Sequence, residues 1–176
     1  MPTTTKTPPA LILIGMPGAG KSSVGAVLAK LNLRDFVDTD VLIQIVHKRT
    51  LQDIVDRDGY EALRKAEEDV LLGLSVTNSV IATGGSAVYS DAAMAHLKSC
   101  GLVIFLDVEL PMLESRIHDY STRGLANRPD QDLSDLFRER SALYAEYADI
   151  TIKDSGLNQE QVCAIIIDRV REYTLH

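Results

Sequence analysis

Apolar positions along this chain follow two alternating rhythms. Ala10-Leu11-Ile12-Leu13-Ile14 is an unbroken apolar run of strand length, the pattern of a strand covered on both faces. Residues 21–31 follow with Val24, Val27, Leu28 and Leu31 at helical spacing. Phe36-Val37 predicts a short second strand that delivers Asp38-Thr39-Asp40, two carboxylates able to face one cleft if the chain stays extended. Residues 41–47 read as helix, Thr50 is placed to cap a short helix ending at Asp56, and Asp58-Gly59 is a break. A long helix over 60–75 carries Leu63, Ala66, Val70, Leu71 and Leu74 on one face, with Arg64 and Glu67 spaced to pair at i, i+3. A third strand at 80–83 leads to a helix at 91–98 capped by Ser90, and a fourth at 102–106 leads to a helix at 109–117 with Pro111 in its first turn. After a helix at 133–148 and a fifth strand at 149–152, a last helix spans 159–173. Strands alternating with helices predict a doubly wound α/β domain, a five-stranded parallel sheet between two helical layers.

Length adds that one domain suffices: 176 residues bury a core without staples, and no internal repeat or linker divides 10–176. Residues 1–9, rich in Thr and Pro, are expected to be a disordered tail. The one long stretch without apolar periodicity, within 119–132, holds Arg123, Gly124, Arg128 and Pro129 and is expected to be a lid. Cys100 and Cys163 form no C-x-x-C pair, and His47, His96, His118 and His176 have no ligand spacing. With a net charge of −7 and its basic residues dispersed, the chain is expected to bind neither nucleic acid nor membrane. A cytoplasmic monomer acting on small molecules is the expectation.

The segment joining the first strand to the first helix narrows the chemistry. Gly15-Met16-Pro17-Gly18-Ala19-Gly20-Lys21-Ser22 fits G-x-x-x-x-G-K-[ST], the phosphate-binding loop. Glycines let successive backbone N–H groups converge on phosphate oxygens, and the following helix turns its positive dipole end to the same anion. Lys21 supplies a movable charge for the β- and γ-phosphates. Ser22 supplies a hydroxyl for Mg²⁺, which keeps several waters of its own. Gly18, Ala19, Gly20, Lys21, Ser22 and Ser23 are the candidate residues for binding a nucleoside triphosphate, with Mg²⁺ as cofactor. Of Asp38 and Asp40, one can hold Mg²⁺ through water and the other orient or deprotonate an acceptor hydroxyl for in-line attack. Gly84-Gly85-Ser86 ends the third strand, where an open parallel sheet binds ligands; a plain strand-to-helix turn accounts for the same residues. A motor ATPase would end a core strand on an acid, which 80–83 does not. Asp56-Arg57-Asp58-Gly59 and Asn127-Arg128-Pro129-Asp130 imitate GTPase motifs without following strands.

Taken together, in order, these motifs resemble the shikimate kinase family over nearly the whole chain. The family shows a phosphate loop of this form, D-x-D after the second strand, F-R-x-x-E on a helix, G-G-G after the third strand, R-P-L-L in a lid and R-x-x-L-Y before the fifth strand. Here these are Gly15 to Ser22, Asp38 and Asp40, Leu63-Arg64 with Glu67, Gly84-Gly85-Ser86, Arg128-Pro129, and Arg140-Ser141-Ala142-Leu143-Tyr144. The resemblance implies a three-layer P-loop kinase fold and phosphorylation of the shikimate 3-hydroxyl in aromatic amino-acid biosynthesis, with ATP as co-substrate. It implies that Lys21 and Ser22 bind phosphates and Mg²⁺ and that Asp38 assists the metal through water. It further implies that Asp40 holds ring hydroxyls and is the candidate base, that Arg64 and Arg140 clamp the acceptor carboxylate, that Gly84, Gly85 and Ser86 line the acceptor, and that Arg128 swings in on the lid as a catalytic cation. The chain departs from the pattern at Ser86 for the third glycine, Asp130 for the lid's first leucine, Ser121 for an arginine over adenine, Leu63 for Phe and Tyr60 for Glu. The alternatives are a kinase of another small hydroxylated acid, such as gluconate, and a nucleotide-binding relative without transfer activity.

Overall fold

The computed structural model describes residues 9–117 and 124–175. The expected tail, apart from Pro9, lies outside the described residues, as do Ser121, Arg123 and the first part of the expected lid. The order of elements is β1 (Ala10–Ile14), α1 (Lys21–Leu31), β2 (Asp35–Asp38), α2 (Thr39–His47), α3 (Leu51–Asp58), α4 (Tyr60–Leu72), β3 (Ser79–Ala82), a 3₁₀ turn (Ala87–Tyr89), α5 (Asp91–Cys100), β4 (Gly101–Val108), α6 (Leu110–Arg116), α7 (Leu133–Tyr147), β5 (Ile150–Asp154) and α8 (Gln159–Thr174). The strands form one parallel sheet in the order β2-β3-β1-β4-β5, with the apolar β1 at its centre and fully buried. Helices cover both faces, as the unbroken apolar runs of β1 and β3 require.

Local signals set most of the boundaries. The Thr50 hydroxyl accepts from the Asp53 N–H and starts α3, and the Ser90 hydroxyl accepts from the Ala93 N–H and starts α5. Gly59, at φ 88°, makes the break between α3 and α4. Several boundaries shift from the sequence reading, α3 running on to Asp58 and β5 to Asp154, and three further differences bear on the layout. Asp38-Thr39-Asp40 does not stay extended: Asp38 Oδ1 accepts from the N–H groups of Asp40 and Val41, and this N-cap turns the chain into α2. Asp40 therefore projects from a first helical turn. Helix α4 stops at Leu72, where Gly73 serves as the C-cap. Strand β4 is longer than its apolar run, because Gly101 pairs with Ala10, and Asp107 and Val108 pair with Lys153 and Asp154.

A second, smaller apolar cluster of Ile43, Ile54, Leu63, Ala66 and Ala126 lies outside the main core. It joins α2, α3 and α4 to the segment following residue 124, so these helices and that segment form one wall of the cleft beyond the sheet.

Candidate active site

Register brings the strand ends level. Ala82 of β3 stands opposite both Leu13 of β1 and Asp38 of β2, so the loops after all three strands leave the sheet side by side. The Thr83 hydroxyl donates to the Leu13 carbonyl at 3.0 Å and fastens the third loop to the first strand. Gly18 and Gly20 of the phosphate loop lie at φ 81° and 88°, the left-handed region where a side chain is strained, and Gly20 is the N-cap of α1. Lys21 folds back over the loop, its Nζ donating to the carbonyls of Gly15 at 2.8 Å and Met16 at 2.9 Å. Burial pushes the Lys21 ammonium down to about 8, against the opposing pull of Asp40 and Glu67. A polyanion in the loop would restore that charge.

Across the cleft, Asp40 and Glu67 approach the backbone at Gly84. A Cβ on Gly84 would overlap Glu67 Oε1 and lie 2.9 Å from Asp40 Oδ1, so only glycine lets both carboxylates reach this point. Burial raises the Asp40 carboxyl above its usual range, with Lys21 pulling it back down. Burial first, and then the Asp40 charge, pushes Glu67 up to about 7. The Ser86 hydroxyl donates to Glu67 Oε2, while Oε1 is buried without a partner among the described residues. Ser86 thus turns its side chain back onto a carboxylate. Glu67 itself forms no ion pair with Arg64, contrary to their spacing.

This geometry has a consequence for stability. Glu67 binds its proton more tightly folded, at about 7, than in an unfolded chain at about 4.5, so the folded state carries more protons between those values. Stability then falls as pH rises from about 4.5 to about 7, the charged carboxylate being buried at the end of that climb. Glu67→Gln removes this contribution, and thermal melts of the ligand-free variant should show a clearly shallower decline over that window. A decline as steep as in wild type would exclude Glu67 as its source.

The two arginines of the implied clamp meet at one acceptor. Arg64 Nε donates to the Ala126 carbonyl at 3.2 Å and Arg140 Nη2 donates to the same oxygen at 2.9 Å. Arg140 is 1% exposed, and a Cβ on Gly85 would lie 2.8 Å from its Nη1. Arg64 Nη2 is buried without a partner among the described residues. The Tyr144 hydroxyl donates to the Gly85 carbonyl at 2.6 Å, so the R-x-x-L-Y segment holds the Gly-Gly turn from α7. Lys21, Asp40, Gly84, Gly85, Ser86 and Arg140 line one cleft with Gly18, Ala19, Gly20, Ser22 and Ser23. Asp38, Arg64 and Arg128 do not line it, and Arg128 Nη2 donates to Glu139 at 3.3 Å. Asp130 is exposed beside Arg128 and away from the cleft.

Sequence reasoning did not single out Arg116 or Asp154. Arg116 lines the nucleotide end of the cleft, donating through Nη1 to the Gly18 carbonyl at 3.4 Å and through Nη2 to Asp154 at 3.2 Å. The signal for it is its place at the end of the helix after β4, a few residues before the aperiodic stretch. At about 1060 Å³ the cleft exceeds what one drug-sized ligand needs and suits two substrates. No group of three His, Cys, Asp or Glu side chains with metal-holding geometry occurs among the described residues. A hydroxyl at Ser22 and a carboxylate at Asp38 are few donors, which fits Mg²⁺, an ion held mainly by phosphates and water. Among the described residues no helix is long and apolar enough to cross a membrane.

Comparison with known proteins points to one family. A family model described as shikimate kinase matches residues 17–171. Shikimate kinase 2 of Enterobacter sp. (strain 638) is 33% identical over 166 residues, 92% of this chain and 95% of the relative. A shikimate kinase of Synechococcus sp. (strain CC9902) is 41% identical over 146 residues, 81% of this chain and 75% of the relative. Among solved structures, the shikimate kinase from Acinetobacter baumannii in complex with shikimate superposes with a TM-score of 0.89 at 31% identity, covering 97% of each chain. A sugar kinase from Janibacter sp. HTCC2649, with a TM-score of 0.56 at 16% identity, shares the fold alone.

Proposed function

The chain belongs to the shikimate kinase family, whose members are ATP:shikimate phosphotransferases, and we propose that its cleft takes ATP at the phosphate loop and shikimate between α2, α4 and α7. The observation that carries this reading is the common cleft of Lys21, Asp40 and Arg140, a phosphate-binding cation, a buried carboxylate and a guanidinium fork. Arg64 and Arg140 already converge on one carbonyl oxygen, and a planar carboxylate is the ligand that suits two such forks.

The backbone N–H groups from Gly18 to Ser23 and the start of α1 cradle the phosphates, and Lys21 Nζ leaves its loop carbonyls for the β- and γ-phosphates. Ser22, and Asp38 through water, would hold Mg²⁺, which would neutralise charge on the nucleotide's phosphates. Gly85 offers its N–H, and Arg64 and Arg140 fix the shikimate carboxylate, so that the 3-hydroxyl stands beside Asp40. The hydroxyl oxygen attacks the γ-phosphorus, Asp40 takes the hydroxyl proton, and the bond to the β–γ bridging oxygen breaks to release ADP. Arg128 leaves Glu139 and adds positive charge at the transferring phosphoryl group as the lid excludes water. Arg116 flanks the nucleotide on the far side of the loop. Both substrates are small molecules, and a cytoplasmic setting suits the two free cysteines.

The test is an acceptor screen. ADP release is measured with shikimate, gluconate and nucleoside monophosphates, for wild type and for Arg140→Lys. Wild type should turn over shikimate alone. Arg140→Lys keeps the charge but loses the fork, so the KM for shikimate should rise about tenfold while the KM for ATP stays within about twofold. Turnover of gluconate in place of shikimate would move the chain to another acceptor, ATP binding without transfer would make it a binding module, and equal damage to both KM values would remove Arg140 from the clamp.

A further inference from the structure

The carboxylate clamp is assembled on a residue that none of the family motifs contains. Tyr89 ends the 3₁₀ turn that follows Gly84-Gly85-Ser86. Its ring lies against the Arg64 guanidinium, with Cζ 3.8 Å from the ring centroid. Its hydroxyl accepts from Arg140 Nε at 3.3 Å and donates to Glu139 Oε1. One side chain therefore touches both arginines, one through its π face and the other through its oxygen, and gives each a fixed reference.

Two guanidinium groups brought to the same carbonyl repel one another, and something must hold them there. The negative face of an aromatic ring attracts a cation placed over it. A phenol oxygen that donates to a carboxylate becomes a better acceptor for the arginine behind it. Glu139 is held anionic first by the Tyr89 hydroxyl, with Arg128 adding to the effect. Arg64 also lies beside Tyr60, but at 5.1 Å from that centroid the contact is looser, so Tyr89 is the closer platform.

We propose that Tyr89 is the positioning residue of the acceptor-carboxylate clamp: its ring sets Arg64, its hydroxyl sets Arg140, and Glu139 anchors it from behind. This rests on the reading of Arg64 and Arg140 as the shikimate clamp. Tyr89 does not line the cleft, so its removal acts on acceptor binding through the arginines.

The test uses Tyr89→Phe, which keeps the ring and removes the hydroxyl, and Tyr89→Leu, which removes both. Steady-state kinetics with ATP and shikimate are compared with wild type, and thermal melts are run alongside. The KM for shikimate should rise about threefold in Tyr89→Phe and about tenfold or more in Tyr89→Leu. The kcat at saturating shikimate should stay within about threefold of wild type, and the KM for ATP within about twofold. A merely structural role would lower the melting temperature and harm both substrates together, even in the conservative Phe variant, and would overturn the proposal. So would a shikimate KM within twofold of wild type in both variants. Absence of shikimate turnover by the wild-type enzyme would remove the functional reading and this inference with it, whereas turnover with unmoved KM values removes the inference alone.

Discussion

Lys21→Ala is expected to abolish phosphoryl transfer, lowering kcat by a factor on the order of a thousand or more. The side chain is the cation of the phosphate loop, and it is held ready: buried, bonded to two carbonyls of its own loop, and with its ammonium weakened to about 8 by burial. Nucleotide phosphates in the loop favour the charged form, so Lys21 is more strongly protonated with ATP present and strongest where charge spreads over the transferring group. Its loss also strips Asp40 and Glu67 of a cation that pulls both carboxyls towards ionisation. A single-turnover experiment with preformed enzyme, ATP and shikimate isolates the chemical step. Transfer within tenfold of wild type would deny Lys21 its place at the reacting phosphate.

The donor half of the site was legible in the sequence because its parts are contiguous. Strand, Gly-rich loop, Lys21, Ser22 and helix follow one another within twenty or so residues, and each is fixed by its neighbours in the chain. The acceptor half is assembled across the fold, and there the reading was partial. Glu67 was visible as the last letter of a helix motif, yet helical spacing pointed it at Arg64. Its actual partner, Ser86, lies 19 residues on, and the approach of α4 to Gly84 decides the matter. Asp38 and Asp40 were recognised, but the bend between them was not, because an Asp that caps a helix and an Asp that ends a strand are the same letter. Tyr89 carries no motif at all; only the packing of α4, α7 and the turn after β3 puts it between two arginines.

Charge balance links the two halves. Lys21 and Arg140 oppose Asp40 and Glu67 within a buried cleft, and each group appears among the causes that move Glu67 and Lys21 from their ordinary ionisation. A substitution in one half therefore reaches the other through the field. This is why kinetic tests here need both KM values and kcat to assign a role.

Asp40→Asn is the sharpest such test, because it changes one charge with almost no change of shape. Burial raises the Asp40 carboxyl, which makes its anion a stronger base than an exposed aspartate, while Lys21 opposes that rise. An amide can still accept a hydrogen bond from the shikimate ring, but it cannot take the proton of the attacking hydroxyl. The kcat should fall by roughly 10²- to 10⁴-fold, the range typical of a lost general base, while ATP affinity by calorimetry stays near wild type. The pH profile supplies the second readout. In wild type kcat/KM should rise with pH as Asp40 loses its proton in the free enzyme, and in the Asn variant that limb should disappear, since loss of the Asp40 charge also moves Glu67 down from about 7. A variant that keeps more than about a tenth of wild-type kcat with its acid limb intact would place the proton acceptor elsewhere, and Glu67, the other carboxylate at Gly84, would be the next group to remove.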